Sequence, residues 1–162
     1  MEMRLKGIIA LVALLAGATG CTQPVNDFSY INLNRLEGWK DNTELTLNFD
    51  IVDTTGACEI YLAGEMAIKR SIGEKKGYPL NLTFIAPDST RYSDSIILPL
   101  HVKQGGGVST TYHGVKYIEW PYRKNIYNSK PGQWRVVIAK ADTSEDYSNI
   151  IGMGIYCKQR KP

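Results

Sequence analysis

The sequence predicts an all-β protein: a single antiparallel β-sandwich domain that follows a cleaved lipoprotein signal peptide. Three observations lead to this prediction. A short apolar run ends at Cys21, apolar and polar residues alternate in many short stretches after it, and no amphipathic helical pattern of ten or more residues follows. Many short strands separated by turn residues are typical of a sandwich or a barrel.

Residues 1–20 have the features of a secretory signal peptide. Arg4 and Lys6 precede the apolar run 7–16, and small residues precede Cys21. The run is shorter than the roughly 20 apolar residues that span a bilayer. The residues 18–21 resemble a bacterial lipobox, which implies that Cys21 carries a diacylglyceryl group and a further acyl chain such as palmitate. The alternative is an ordinary signal peptide followed by a chance cysteine.

Length and charge limit the function classes. Removal of residues 1–20, which hold two basic residues and one acidic residue, leaves 142 residues with a formal charge of +2. This is the size of one domain. The near-neutral charge argues against a nucleic-acid-binding protein, which would carry a clustered basic face.

The mature chain divides into three predicted parts. Residues 21–40 are the lipidated N-terminus and a polar tether, residues 41–158 the β-sandwich domain, and residues 159–162 a basic tail. Cys58 and Cys157 are the two remaining cysteines. An exported protein can keep a disulfide between them, or they can be two buried free thiols, and the sequence leaves both alternatives open.

The first half of the domain contains three predicted strands. Residues 45–51 alternate with a clean period of two. Residues 58–69 alternate again after a turn at 53–56, and β-branched flanks favour a strand over a helical turn at 63–67. Residues 80–84 form the third strand, which Pro87 and the polar residues after it end.

Four more strands are predicted in the second half. Residues 96–102 alternate, with Pro99 indicating an edge or a bulge. Residues 115–120 form a strand that Pro121 halts, and the turn 130–132 leads to a strand at 134–138. A polar loop at 142–149 precedes the last strand, 151–155.

One aromatic cluster is a candidate binding patch. It consists of Tyr117, Trp120, Tyr122 and Arg123. Aromatic faces beside polar groups can stack on sugars or anchor a protein partner. Half-buried packing residues of a sandwich would give the same pattern, so both interpretations stay open.

The sequence indicates no catalytic residue, no metal site and no cofactor. His101 and His113 lack the spacing of zinc ligands. No Gly-x-Ser-x-Gly nucleophile motif occurs. The glycines 105–107 are not followed by the Lys-Ser/Thr of a phosphate-binding loop. The protein is therefore predicted not to be an enzyme.

From Tyr78 onward the order of short motifs resembles the gliding-motility lipoprotein GldH family. The motifs that carry this resemblance are Tyr78-Pro79, Asn81-Leu82, Pro87-Asp88, Asp94, Leu98-Pro99-Leu100, Trp120-Pro121-Tyr122-Arg123-Lys124-Asn125, Pro131-Gly132-Gln133-Trp134 and Gly152-Met153-Gly154-Ile155. The resemblance implies a small exported lipoprotein of Bacteroidota, needed for surface motility in gliding species and without known catalytic activity. The chain departs from the family pattern at 139–142, which leaves open a role in envelope maintenance in a cell that does not glide.

Two functions are therefore expected. The favoured one is a non-enzymatic envelope lipoprotein, accessory to a machine for motility, secretion or surface assembly. The alternative is a glycan- or ligand-binding lipoprotein of a nutrient-capture system. The expected partners are the membrane, through the lipid, and envelope proteins, with a glycan in the alternative and no nucleic acid. No Asp follows Cys21 directly, which argues against retention at the inner membrane, and no strongly acidic stretch follows it, which argues against export to the surface. Attachment to the outer membrane facing the periplasm is therefore expected.

Overall fold

The structure, a computed structural model, describes residues 27–52, 54–68, 76–100 and 107–160. The predicted signal peptide, the predicted lipid attachment at Cys21 and the first residues of the predicted tether lie outside this part of the chain. His101 and residues 161–162 lie outside it as well.

The described residues form nine strands, and no helix occurs among them. The strands are β1 (Asp27–Asn32), β2 (Leu45–Ile51), β3 (Ala57–Ala67), β4 (Gly77–Ile85), β5 (Arg91–Pro99), β6 (Val108–Tyr112), β7 (Val115–Ile126), β8 (Gly132–Lys140) and β9 (Ile150–Arg160). They make a five-stranded sheet in the order β1-β9-β3-β7-β6 and a four-stranded sheet in the order β2-β8-β4-β5. The paired strands are antiparallel, and the two sheets pack as a β-sandwich, which confirms the predicted fold class.

The core lies between the two sheets and follows the alternation seen in the sequence. In β2 the apolar positions are buried and the intervening residues are not. The same pattern in β4 buries Leu80 and Leu82. Trp39 and Tyr147 close one end of the core, with their ring centroids 5.8 Å apart. The apolar face of each strand therefore decides which side points inward.

The two central strands of the larger sheet, β3 and β9, are buried on both faces. On the outer face the ring of Tyr30, from β1, lies directly on Gly152 and Gly154 of β9. A Cβ atom at Gly152 would overlap the Tyr30 ring, so this close approach requires glycine. Aromatic side chains of the sheet itself thus cover the outer face of its central strands.

The sheet begins earlier than the sequence predicts. Strand β1 lies within the segment interpreted as a polar tether, and it pairs with β9 from Asp27 opposite Cys157 to Asn32 opposite Gly152. Strand β9 continues to Arg160, past the predicted start of the basic tail. A strand at the edge of a sheet needs only backbone hydrogen bonds and one packed side chain such as Tyr30. The polar composition of this segment therefore gave no indication of a strand.

Strand β7 continues through Pro121 to Ile126, so the prediction that Pro121 halts it was wrong. Pairing with the short strand β6 ends with Val108 opposite Glu119, two residues before Pro121. Proline is tolerated at such edge positions and at bulges. The expectation for Pro99 was correct, because it is the last residue of the edge strand β5.

Strand β6 was not predicted, and β5 begins at Arg91 instead of near Ile96. All five residues of β6 are exposed, so the segment has no buried face that would produce alternation. The first residues of β5 are polar or exposed for the same reason. Backbone hydrogen bonds to a neighbouring strand position both of them: β6 pairs with β7, and β5 pairs with β4.

Candidate functional site

The predicted binding patch does not form one surface. Ile118 of β7 is fully buried in the core, so Tyr117 points to the opposite, outer face of the sheet. Trp120 and Tyr122 are half-buried and pack against the core from the inner side. The structure therefore separates Tyr117 from the other three residues, and it gives Trp120 a packing role.

A β-bulge in β7 brings Tyr122 and Arg123 to the same place. Tyr61 of β3 pairs with Pro121, and the next residue of β3, Ile60, pairs with Arg123. Tyr122 is therefore the extra residue of the bulge. Neighbouring residues of a regular strand point to opposite faces, but a bulge re-aims them. Here both side chains reach Asp94 of β5 on the other sheet.

Asp94 accepts hydrogen bonds from both of these side chains through Oδ2. The Tyr122 hydroxyl donates at 2.8 Å and the Arg123 guanidinium at 2.9 Å. The hydrogen bond from Tyr122, followed by that from Arg123, holds the pKa of Asp94 below its usual value. Burial, and then the bond to Asp94, raise the pKa of Tyr122. The three groups form a closed network that joins the two sheets.

Beside this network the sheets separate into a cleft of about 530 Å³. Its volume is within the range of small-molecule sites. The lining residues are Ile51, Ile60, Phe84, Tyr92, Ser93, Asp94, Tyr122, Arg123, Ile126, Tyr127, Asn128, Ser129, Lys130 and Trp134. Most of them are apolar or aromatic, and several belong to the hydrophobic core, so the cleft is an open continuation of the core.

Stacked aromatic rings form the inner wall of the cleft. Phe84 and Tyr122 stack across the two sheets, with ring centroids 5.2 Å apart and planes at 8°. Within the smaller sheet the ring of Trp134 lies 6.3 Å from Phe49 and 6.1 Å from Tyr92. Tyr92 is half-exposed, so this row of rings runs from the core to solvent.

The loop between β7 and β8 forms the rim. Asn125, next to the last residue of β7, and Asn128, in the loop, have φ values of 55° and 56°, in the left-handed region that asparagine tolerates. The loop is held by Lys130, whose carbonyl oxygen accepts a hydrogen bond of 2.9 Å from Trp134 Nε1. The Lys130 ammonium pairs with Asp88, and this hydrogen bond lowers the pKa of Asp88 to about 2.

The cleft opens at the end of the sandwich where β1 begins. Asp27 is paired with Cys157, close to the end of β9. On the same end β9 meets the start of β3, and the start of β3 meets the end of β7 at Ile126. Three strand spacings separate β1 from β7 in the sheet, or about 14 Å. Asp27, the first residue that the structure describes, therefore lies at the end of the sandwich that carries the cleft.

A second polar and aromatic cluster lies on the outer face of the larger sheet. Tyr61 and Tyr156 stack with ring centroids 5.0 Å apart, and Lys158 Nζ lies 4.4 Å above the Tyr61 centroid. The Tyr156 hydroxyl donates to Glu119, and burial with this bond raises the pKa of Tyr156. Because these groups pair with one another, the cluster secures the sheet.

Cys58 and Cys157 form a disulfide, which is one of the two alternatives that the sequence leaves open. Their Cα atoms are 6.4 Å apart, within the usual range for a disulfide. Both residues are buried in the core. The bond joins β3 to β9, two neighbouring strands at the centre of the larger sheet, at the same end as the cleft.

The sequence-based patch located Tyr122 and Arg123 but missed the residues that complete the cleft. Tyr92 and Asp94 lie on β5, and Lys130 lies in the loop between β7 and β8. No spacing in the sequence links them to Tyr122. Trp134 was predicted only as one face of a strand. The bulge that turns Arg123 toward Asp94 has no sequence signal other than Pro121, which was interpreted as the end of the strand.

The described residues show neither a metal site nor a membrane-spanning helix. They contain no group of three or more His, Cys, Asp or Glu residues that could hold a metal ion. Within the same residues no helix is long and apolar enough to span a membrane. Comparisons of the chain with protein-family models and with curated proteins found no match.

Proposed function

We propose that this protein is a non-enzymatic, lipid-anchored protein of the cell envelope whose domain acts by binding. In line with its resemblance to the GldH family, it would be accessory to a machine for motility, secretion or surface assembly. The lipid on Cys21 would attach it to the outer membrane on the periplasmic side. Envelope proteins would be its partners.

One observation carries this proposal: the sheet begins at Asp27, six residues after Cys21. Six extended residues span about 20 Å at most. A lipid on Cys21 would therefore hold the domain against the membrane, with the strand ends near Asp27 directed toward the bilayer. Such a short connection suits a protein that works at the membrane surface.

The anchor is tested by replacing Cys21 with Ser and separating soluble from membrane fractions. We expect the wild-type protein in the membrane fraction and C21S in the soluble envelope fraction, because two or more acyl chains are needed for stable attachment. Replacement of Ser109, on the exposed strand β6, with Ala is the control and should leave the protein in the membrane fraction. If C21S also stays there, the anchor assignment is wrong.

A second candidate is a glycan- or ligand-binding lipoprotein of a nutrient-capture system. The cleft beside Tyr122 and Arg123 favours it, because aromatic walls with a few polar groups are typical of small-molecule sites. A pull-down of crosslinked envelope partners and a glycan array distinguish the two candidates. Protein partners without glycan binding support the first, and glycan binding supports the second.

A further inference from the structure

We propose that the cleft binds one acyl chain of an anionic amphiphile from the membrane, with the charged head at the cleft mouth. This inference rests on the proposed function in one respect, because the membrane to which the domain is attached would be the source of the ligand. The cleft itself, its lining and its charges are properties of the described residues alone. The chemical class follows from three features of the site.

The first feature is the apolar character of the unfilled surface. Ile51, Ile60 and Phe84 belong to the hydrophobic core, and they also line the cleft. At its outer part, Tyr92 is 50% exposed and Tyr127 is 66% exposed. Burial of apolar surface is favourable in proportion to the area removed from water. A ligand that enters this cleft therefore gains most if the part that enters is apolar.

The second feature is that the polar groups around the cleft already bond to one another. Asp94 accepts from Tyr122 and Arg123, and Lys130 bonds to Asp88. The Trp134 indole donates to the Lys130 carbonyl. A sugar needs several donors and acceptors for its hydroxyl groups, and it would have to break these bonds to obtain them. The site thus favours a chain of methylene groups over a saccharide.

The hydroxyl group of Ser129 differs from these bonded groups. Ser129 Oγ is buried, and no hydrogen-bond partner for it exists within the described structure. A single hydroxyl group cannot orient a saccharide ring, but it can accept or donate one hydrogen bond at the boundary between a polar head and its chain. Ser129 lies in the rim loop, at the place where such a boundary would fall.

The third feature is the charge around the mouth. The residues that line the cleft carry two cationic side chains, Arg123 and Lys130, against one acidic side chain, Asp94. This excess of positive charge complements an anionic head. Because the mouth lies at the end of the domain that is tied to Cys21, it would face the anionic lipids of a membrane.

The test is a fluorescence titration of the full chain carrying C21S with cis-parinaric acid, a fluorescent long-chain fatty acid. The substitution removes the attached lipid, which would otherwise compete. We expect saturable binding with one site per chain. Replacement of Ser129 with Trp should fill the cleft and weaken binding about tenfold or more. Replacement of Ser109 with Trp, on the exposed strand β6, is the matched control and should change nothing.

The variant Arg123→Gln tests whether the cleft mouth binds the charged head of the ligand. In this variant the bound probe is displaced with a long-chain fatty acid and, separately, with the corresponding alcohol. We expect the acid to bind about two- to fivefold more weakly, as for the loss of one partly exposed ionic contact, and the alcohol to bind as before. An equal loss for both would contradict the assignment of the head. Unchanged urea midpoints show that Ser129→Trp and Arg123→Gln fold. If Ser129→Trp does not fold, it is replaced in the titration by Tyr92→Ala, which removes a half-exposed ring that lines the cleft.

Three results would overturn the proposal. The first is a lack of saturable binding, and the second is full affinity in a folded variant with a filled cleft. The third is displacement of the probe by neutral oligosaccharides.

A photoactivatable fatty acid should also label the cleft of the wild-type protein in its membrane. Labelling only after Cys21→Ser would mean that the chain's own lipid occupies the cleft. The titration uses the C21S protein, which carries no attached lipid, so its failure is separate from failure of the anchor, which the fractionation tests.

Discussion

The disulfide offers the sharpest test of the architecture. It joins Cys58 and Cys157 across 99 positions of the sequence, which is most of the domain. In the folded protein the backbone ladder between β3 and β9 already holds these strands together. The bond therefore acts mainly on the unfolded chain, whose freedom it restricts by closing a very long loop.

The expected magnitude follows from the loop length. A closed loop of about 100 residues removes chain entropy worth about 4.7 kcal/mol at room temperature, and measured losses for native disulfides are about 2–5 kcal/mol. A single domain typically has about 5–15 kcal/mol of stability in total. Reduction should therefore remove a large part of the free energy of unfolding.

Urea unfolding of the C21S protein with and without a reducing agent measures this loss. We expect the free energy of unfolding to fall by about 3–5 kcal/mol on reduction. The double variant Cys58→Ala, Cys157→Ala should behave like the reduced protein, apart from a small further loss for the missing sulfur atoms. The double variant should also be insensitive to the reducing agent.

Two results would refute this reasoning. Two titratable thiols in the unfolded, unreduced protein would show that the bond does not form on export. Equal stability of the oxidised and reduced proteins would show that the long loop is not the source of the stabilisation. In either case the buried cysteines would contribute only as small apolar residues.

Two further predictions concern packing and pH. Replacement of Gly152 with Ala places a Cβ on the Tyr30 ring and should lower the free energy of unfolding by about 1–3 kcal/mol through overpacking. The control is Gly114→Ala, in open space at φ +74°, which should lose no more than its backbone strain of about 1–2 kcal/mol. Equal changes in the near-ultraviolet spectra of the two variants would count against the contact between Gly152 and Tyr30. The folded-state pKa of Asp88 is lowered to about 2 and that of Asp94 is also lowered, so both contribute stability above their unfolded values near 3.9 that is lost as the pH falls toward 2. The urea midpoint of Asp88→Asn should accordingly fall less than that of the wild type on acidification, and an identical fall would contradict the role of the Lys130 pair.

The sequence by itself determined the fold class, the central strands and the expected membrane attachment. Alternation in residues 45–51 predicts a strand with one buried face, and the structure contains it as β2. Such patterns are readable because burial imposes a period of two on every strand that has one wet and one dry face. The prediction of a lipoprotein signal that ends at Cys21 is equally local, because it depends on a run of consecutive residues.

Only the tertiary structure decided the edges of the sheets and the cleft. Strand β1 and the continuation of β7 past Pro121 pair with distant segments, and β6 pairs with the adjacent strand β7. Backbone pairing places all three, and it leaves no regular pattern in their side chains. The meeting of Tyr122 and Arg123 with Asp94 requires a bulge and the approach of a second sheet. These contacts join residues far apart in the chain, and no local preference encodes them. A binding site that lies between two sheets is therefore a property of the packed domain.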